Sequence, residues 1–328
     1  MLKLSIVIIC WNDRKVIGDC LHSIYERTHS TEFEVIVSDN GSSDGSVQFI
    51  RENFPTARII ENGVNLGFAK GNNAGIRVTR GEYVLILNPD TIIHEGSLDR
   101  WIEFADLHPE AGAFGCRVLN VDGSYQDCAR PFPTIWRTWI AALYLRQLAR
   151  LSKVFISDSY IVWKGDSERH VDFLWGCCVI FRGDLLMRLG GFDEQFFYQY
   201  EDVDLCHRVW NAGYSILFTP AVAITHLRGA IRHWRFPTKY QIEVCRNCYR
   251  YFYKYTGREG ARRCRRVLLT SLRLRLLGCT LLYMAKRNEA LKDRLEMYRI
   301  AIRWNSGIDP VRFVENGEEP ELGFNTTI

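Results

Sequence analysis

Asn88, Pro89 and Asp90 end the apolar run Tyr83-Val84-Leu85-Ile86-Leu87 with a carboxylate. A continuous run of this kind is the pattern of a central strand buried on both faces. Pro89 cannot donate to a sheet ladder, so the strand stops there, at its carboxyl edge. Open α/β sheets bind ligands at that edge. A carboxylate fixed there is suited to hold a hard divalent cation against a phosphate, although the same Asp could simply cap the next helix. Two more polar clusters follow strand-like runs, Asp39 in Ser38-Asp39-Asn40-Gly41-Ser42 and the turn Asn65-Leu66-Gly67. The second opens a helix, whose free amides favour anions. Three such loops on one sheet edge point to a nucleotide pocket.

A second cluster runs from Gly190 to Arg208. Phe192, Phe196, Phe197, Tyr198 and Tyr200 lead into Glu201, Asp202 and Asp204. By charge alone the three acids suit the first turn of a helix. The aromatic lead-in adds something else: aromatic walls raise the pKa of an acid and offer a stacking surface for a sugar, the setting a general base needs. His226 closes the strand-like run 221–225, where a lone histidine is more often structural than ligating. Cys245 and Cys248 form a lone C-x-x-C with no second pair, so no zinc or redox site is read there.

The elements that must carry these residues alternate. Strands are expected over residues 4–10, 33–37, 57–61 and 83–87, and helices over 13–25, 46–54 and 68–79, which predicts a doubly wound, largely parallel sheet. Residues 118–125 read as a hairpin about Asp122-Gly123, and 173–181 as a further strand. Residues 131–170, with Trp136, Trp139, Tyr144 and Trp163, yield no clear element or role.

With 328 residues, 47% of them hydrophobic, the chain can bury a large core. Two parts are expected, an α/β domain over 1–235 and a helical, basic extension over 236–328. No charged n-region precedes an apolar h-region, so no signal peptide is expected. The 11 cysteines are scattered through apolar runs, which fits buried thiols in a reduced cytoplasm better than a disulfide scaffold.

Net charge is +4, but nine basic residues against Glu259 give segment 257–287 a charge of +8 and leave −4 for the remainder. Arg273 and Arg275 disfavour a membrane span within 267–285, at about 2.5–3.5 kcal/mol each. On a helical wheel Arg258, Arg262, Arg266 and Arg273 share one face, with Val267, Leu274, Leu281 and Leu282 toward the other. Such a helix can lie on anionic lipid or form a homo-oligomer contact. Nothing in the pattern points to nucleic acid.

Taken in order, Ser5-Ile6-Val7-Ile8, Asp39-Asn40-Gly41-Ser42, Asn65-Leu66-Gly67-Phe68-Ala69, Leu87-Asn88-Pro89-Asp90, the run Gly190 to Glu194, Glu201-Asp202-Val203-Asp204-Leu205 and His226 resemble a known family. It is the inverting family-two glycosyltransferases of GT-A fold, particularly the rhamnosyltransferase-like branch, over about residues 4–255. The resemblance implies transfer of a sugar, rhamnose first, from a dTDP- or UDP-linked donor to a hydroxyl of a glycan or lipid-linked acceptor. It implies that Asp39, Asn65 and Gly67 line the donor pocket. Asp90 would be the second acid of a D-x-D motif whose first position is here Asn88. It also implies that Asp90 and His226 hold Mg2+ or Mn2+, that Asp202 is the base, and that Glu201 helps to position the acceptor. Cell-envelope polysaccharide synthesis at the cytoplasmic face of the inner membrane is the setting expected. Two other classes remain. A sugar nucleotidyltransferase would want a Gly-rich, Arg-containing loop where this chain has Cys10-Trp11-Asn12-Asp13. A non-catalytic glycan-binding homologue would not need Asp90, Asp202 and His226 together.

Overall fold

The computed structural model describes residues 2–142, 163–197, 199–227 and 237–320. In chain order the elements are β1 (Leu4–Cys10), α1 (Ile17–Arg27), β2 (Phe33–Asp39), α2 (Ser46–Asn53), β3 (Arg58–Glu61), α3 (Gly67–Ile76), β4 (Tyr83–Leu87), β5 (Thr91–Ile93), α4 (Ser97–Leu107), β6 (Ala111–Leu119), β7 (Ala129–Arg130) and α5 (Ile135–Ala142). They continue as β8 (Arg169–His170), β9 (Phe173–Leu174), β10 (Cys178–Arg182), α6 (Gly183–Arg188), α7 (Glu201–Asn211), β11 (Ser215–His226), α8 (Pro237–Lys286), α9 (Glu289–Gly307) and α10 (Pro310–Asn316). The chain divides into two compact units. One contains Met1–Phe132, Val162–Phe197 and Glu201–Ile231, and the other Pro133–Ile161, Tyr198–Tyr200 and Arg232–Ile328.

The first unit is built on a sheet of order β3-β2-β1-β4-β10-β6-β11-β5, with β8 on β11. β3, β2, β1 and β4 run parallel, as the strand–helix alternation predicts. β10 enters antiparallel between β4 and β6, pairing Cys178 with Leu87 and Ile180 with both Leu85 and Phe114. β4 is wholly buried and ends before Pro89, so Asp90 stands where the sequence puts it.

Two local departures from the sequence reading matter for the site. α1 starts at Ile17 rather than Asp13, because the Asp13 carboxylate accepts the Trp11 amide (2.8 Å) and Asn12 takes a left-handed turn (φ 59°). The expected strand over 173–181 is two strands, broken at Trp175-Gly176-Cys177. The hairpin about Gly123 is present, closed by Asn120 and Ser124.

In the second unit α8, interrupted at Gly257 (φ 70°), packs with α9 and α10. Tyr249 stacks on Trp304 at 6.1 Å, and its hydroxyl bonds Asn305. All eleven cysteines are buried and unbridged, Cys245 and Cys248 among them. By length and composition α8 could cross a membrane: within Thr238–Lys286 an 18-residue window reaches a mean hydropathy of 1.4. Val267 faces inward, but Leu274, Leu281 and Leu282 are exposed, as are Leu277 and Met284. Leu277 and Met284 continue the stripe of Arg258, Arg262, Arg266 and Arg273, whereas Leu274, Leu281 and Leu282 lie toward the other side, as the wheel has them, yet stay exposed. Exposed apolar residues therefore stand both beyond the arginines and on the side away from them.

Candidate active site

The β2 end is organised by Asp39. Its Oδ2 accepts the amides of Gly41 and Ser42, both at 3.0 Å. Its Oδ1 is buried and accepts nothing among the described residues, with the side chain as a whole 3% exposed. A buried acceptor without a donor costs about 1–3 kcal/mol, so this oxygen is primed for a ligand N–H or O–H. Beside it Asn40 donates to Asn65 Oδ1 (3.2 Å) and to the Gly67 carbonyl (3.0 Å), and Asn65 Oδ1 accepts the Gly67 amide. Gly67 has φ 79°, and a Cβ there would lie 2.7 Å from the Phe197 ring. No other residue type fits this turn.

Asp90 and His226 meet. Asp90 Oδ1 lies 3.1 Å from His226 Nε2, and both side chains are largely buried. The Leu227 amide donates to the Asp90 carbonyl, tying the end of β11 to the loop after β4. This spacing fits a shared cation, because neighbouring ligands of an octahedral ion bound at about 2.1 Å sit roughly 3 Å apart. No group of three or more protein ligands exists among the described residues. Two side chains completed by substrate phosphates is the usual arrangement for Mg2+.

Asp202 lies in the first turn of α7. Its carboxylate accepts the amides of Val203 (2.7 Å) and Gly176 (3.1 Å). Burial nevertheless dominates and pushes it up to about 6, with those amides partly offsetting the shift. An acid so held has the pKa that a general base working near neutral pH needs. The break at Trp175-Gly176-Cys177 joins the three loops. The Cys177 carbonyl accepts the Asn88 amide (2.9 Å), Gly176 holds Asp202, and a Cβ on Gly176 would sit 3.2 Å from the Phe68 ring, next to Gly67.

The family model described as Glycosyl transferase family 2 matches residues 5–160, and Glycosyl transferase family group 2 matches residues 83–287. The chain belongs to the family-two glycosyltransferases. This glycosyltransferase is 32% identical over 204 residues to the N-acetylglucosaminyl-diphospho-decaprenol L-rhamnosyltransferase of Mycobacterium tuberculosis, covering 58% of this chain and 66% of that relative's length. It is 28% identical over 202 residues to rhamnosyltransferase WbbL of Escherichia coli, covering 59% and 72%. In fold it is similar to S. aureus TarS in complex with UDP (TM-score 0.51, 19% identity, covering 92% and 81%). It is also similar to the mannosyltransferase PcManGT from Pyrobaculum calidifontis in complex with GDP-Man and Mn2+ (TM-score 0.52, 18% identity, covering 92% and 87%). The GT-A fold expected from the motifs is borne out.

Within the glycosyltransferase, Glu201 is buried, at 5% exposure, and Asn88 holds the β4 terminus through its backbone. Tyr198 of the aromatic lead-in lies outside the described residues, as do 143–162. Asp13, which the sequence reading assigned to a helix, lies close enough to the acids of the candidate site to feel their charge. Burial raises its carboxyl to about 7, and the charges of Asp90, Asp44 and Asp39 add to the rise. Its place at the carboxyl end of β1 was the available signal.

Proposed function

We propose that this protein is an inverting glycosyltransferase that moves a sugar, with rhamnose the first candidate, from a dTDP- or UDP-linked donor to a hydroxyl of a lipid-linked or glycan acceptor. The observation that carries the reading is Asp202, a carboxylate raised to about 6 by burial yet held in place by two amides. One base on the face opposite the leaving group is what single-displacement inversion requires. Asp202 takes the acceptor hydroxyl proton as that oxygen attacks the anomeric carbon, and the nucleoside diphosphate departs with the bonding pair. Glu201 stands beside it as a positioning group.

Asp39, with one oxygen that accepts nothing among the described residues, accepts from the base or ribose of the donor, and Asn65 and Gly67 shape the wall of that pocket. Asp90 and His226, after Asn88, hold Mg2+ or Mn2+, which when bound neutralises charge developing on the diphosphate. Support for rhamnose and for a lipid-linked acceptor comes from the names of the relatives, one of which specifies diphospho-decaprenol. The exposed arginines and leucines of α8 support work at the cytoplasmic face of the inner membrane, in cell-envelope polysaccharide synthesis.

A mass-spectrometric screen of nucleotide sugars for slow donor hydrolysis tests the reading. Turnover of one donor, abolished in Asp202→Asn and giving the inverted anomer by NMR, is expected. Glycan binding with no hydrolysis of any donor would make the protein a non-catalytic homologue.

A further inference from the structure

The Asp90–His226 contact poses a chemical problem. A carboxylate oxygen has no proton to give, so a stable contact at 3.1 Å needs either a proton on His226 Nε2 or a cation shared by both atoms. In the neutral ring the other nitrogen decides which, because a proton on Nδ1 leaves Nε2 with a lone pair.

His226 Nδ1 lies 2.7 Å from Oε1 of Gln126, a side chain only 6% exposed. A carboxamide oxygen only accepts, so Nδ1 must donate. The direction of that bond is fixed from the far end of a relay. In the Asn120–Ser124 hairpin, the Ser124 hydroxyl donates to Asp122 Oδ1 (2.6 Å). Its oxygen therefore accepts from Asn120 Nδ2 (2.9 Å), which turns Asn120 Oδ1 toward Gln126 Nε2 (2.8 Å). Gln126 is thereby oriented with its oxygen toward His226, and its own amide is pinned to the Val118 carbonyl (2.8 Å).

We propose that Gln126 is a positioning residue for the cation: through the relay from Asp122 it holds the proton of the neutral His226 ring on Nδ1, which leaves the Nε2 lone pair facing Asp90 as a ligand for the cation the two share. The inference rests on the reading that Asp90 and His226 bind a divalent ion. It adds the residue that prepares the histidine, and the hairpin that orients that residue. Hydrogen-bond partners behind metal-bound histidines fix ring orientation and tautomer, and losing one typically weakens metal binding by about 10–100-fold.

The test uses the full chain. Mn2+ titrations followed by EPR, in the presence of UDP and separately of dTDP, are compared for wild type, Gln126→Leu and Gln126→Glu. Glu retains an acceptor for Nδ1 and Leu does not. The expected result is Mn2+ affinity about 10–100-fold weaker in Gln126→Leu and near wild type in Gln126→Glu. Long-range 15N spectra of histidine-labelled, metal-free protein read the tautomer directly, with His226→Gln as the assignment control. Neutral His226 protonated on Nδ1 in wild type, and losing that preference in Gln126→Leu, is expected.

Unchanged Mn2+ affinity in a folded Gln126→Leu, or a neutral wild-type ring protonated on Nε2, would overturn the inference. If wild type binds nucleotide with no dependence on Mn2+, the metal reading itself fails. The tautomer spectra would then still show whether Gln126 sets the proton.

Discussion

Replacing Asp202 with Asn should abolish turnover and, in the same variant, relieve the folded state of a buried charge. The carboxyl is raised by burial from 3.8 to about 6. At 1.36 kcal/mol per pKa unit, keeping it ionised in the folded protein costs about 3 kcal/mol above pH 6. The sign follows from the direction. The folded-state value is above the unfolded one, so the cost is full above pH 6, shrinks as pH falls through 6, and vanishes below about 4. Asn carries no such cost, although it can accept only one of the two amides from Val203 and Gly176, a loss of about 1–3 kcal/mol. That loss does not depend on pH and cancels when two pH values are compared. From pH 7.5 to pH 5 the wild-type cost falls by about half. The stability difference, Asp202→Asn variant minus wild type, should therefore shrink by about 1–2 kcal/mol over that interval. Urea unfolding of both proteins at the two pH values measures it. Wild-type turnover should fall about tenfold per unit below pH 6. A difference that stays constant with pH, or an Asp202→Asn enzyme with near-normal turnover, would refute the account of Asp202 as a buried, ionisable base.

Other consequences can be checked separately. Asp90→Ala should abolish the Mn2+-dependent part of UDP or dTDP binding in calorimetry, and equal affinity in EDTA for wild type would make the site metal-independent. Gly67→Ala forces a Cβ to 2.7 Å from the Phe197 ring at a positive φ, so melting temperature should drop and donor KM should rise. Asp39→Asn keeps the size of the side chain but gives one atom two protons, so nucleotide affinity should fall at least tenfold by calorimetry with the fold intact by circular dichroism. Flotation with anionic vesicles should be lost at high salt, where exposed charges are screened within ~10 Å at 0.1 M and less above it. It should weaken in Leu277→Asp with the arginines intact, and protein that never floats at low salt would exclude the membrane contact.

The strand ends were legible because their causes are local. Pro89 stops β4 wherever the rest of the chain goes, and Asp39 and Asp90 follow apolar runs that can only be buried strands. The break at Trp175-Gly176-Cys177 was not legible, because it exists to serve partners far away in sequence. Gly176 gives its amide to Asp202 and Cys177 its carbonyl to Asn88, while Gly176 is the one residue that interrupts an otherwise apolar run from Phe173 to Phe181. Gln126 was invisible for the same reason, since its partner is a hundred residues away. Asp13 was misassigned because a carboxylate before an amphipathic run reads as a helix start, and only the structure shows its oxygen committed to Trp11. A wheel gives the faces of α8 but not their burial, which depends on what packs against the helix: Val267 is covered, while Leu274, Leu281 and Leu282 on the same side stay exposed.

The antiparallel insertion of β10 has a consequence for how the chain is made. Strands β1 to β4 are complete once Leu87 has been synthesised, but the neighbour that covers the outer edge of β4 begins only at Cys178. For roughly ninety residues, about 5–18 s at 5–20 residues per second, the nascent chain carries a half-built sheet. Its open edge is the wholly apolar segment from Tyr83 to Leu87. Edges of that kind template pairing with other chains. Ribosome-bound or truncated products ending between Asp90 and Cys177 should thus be the aggregation-prone species of this protein and the ones that recruit chaperones.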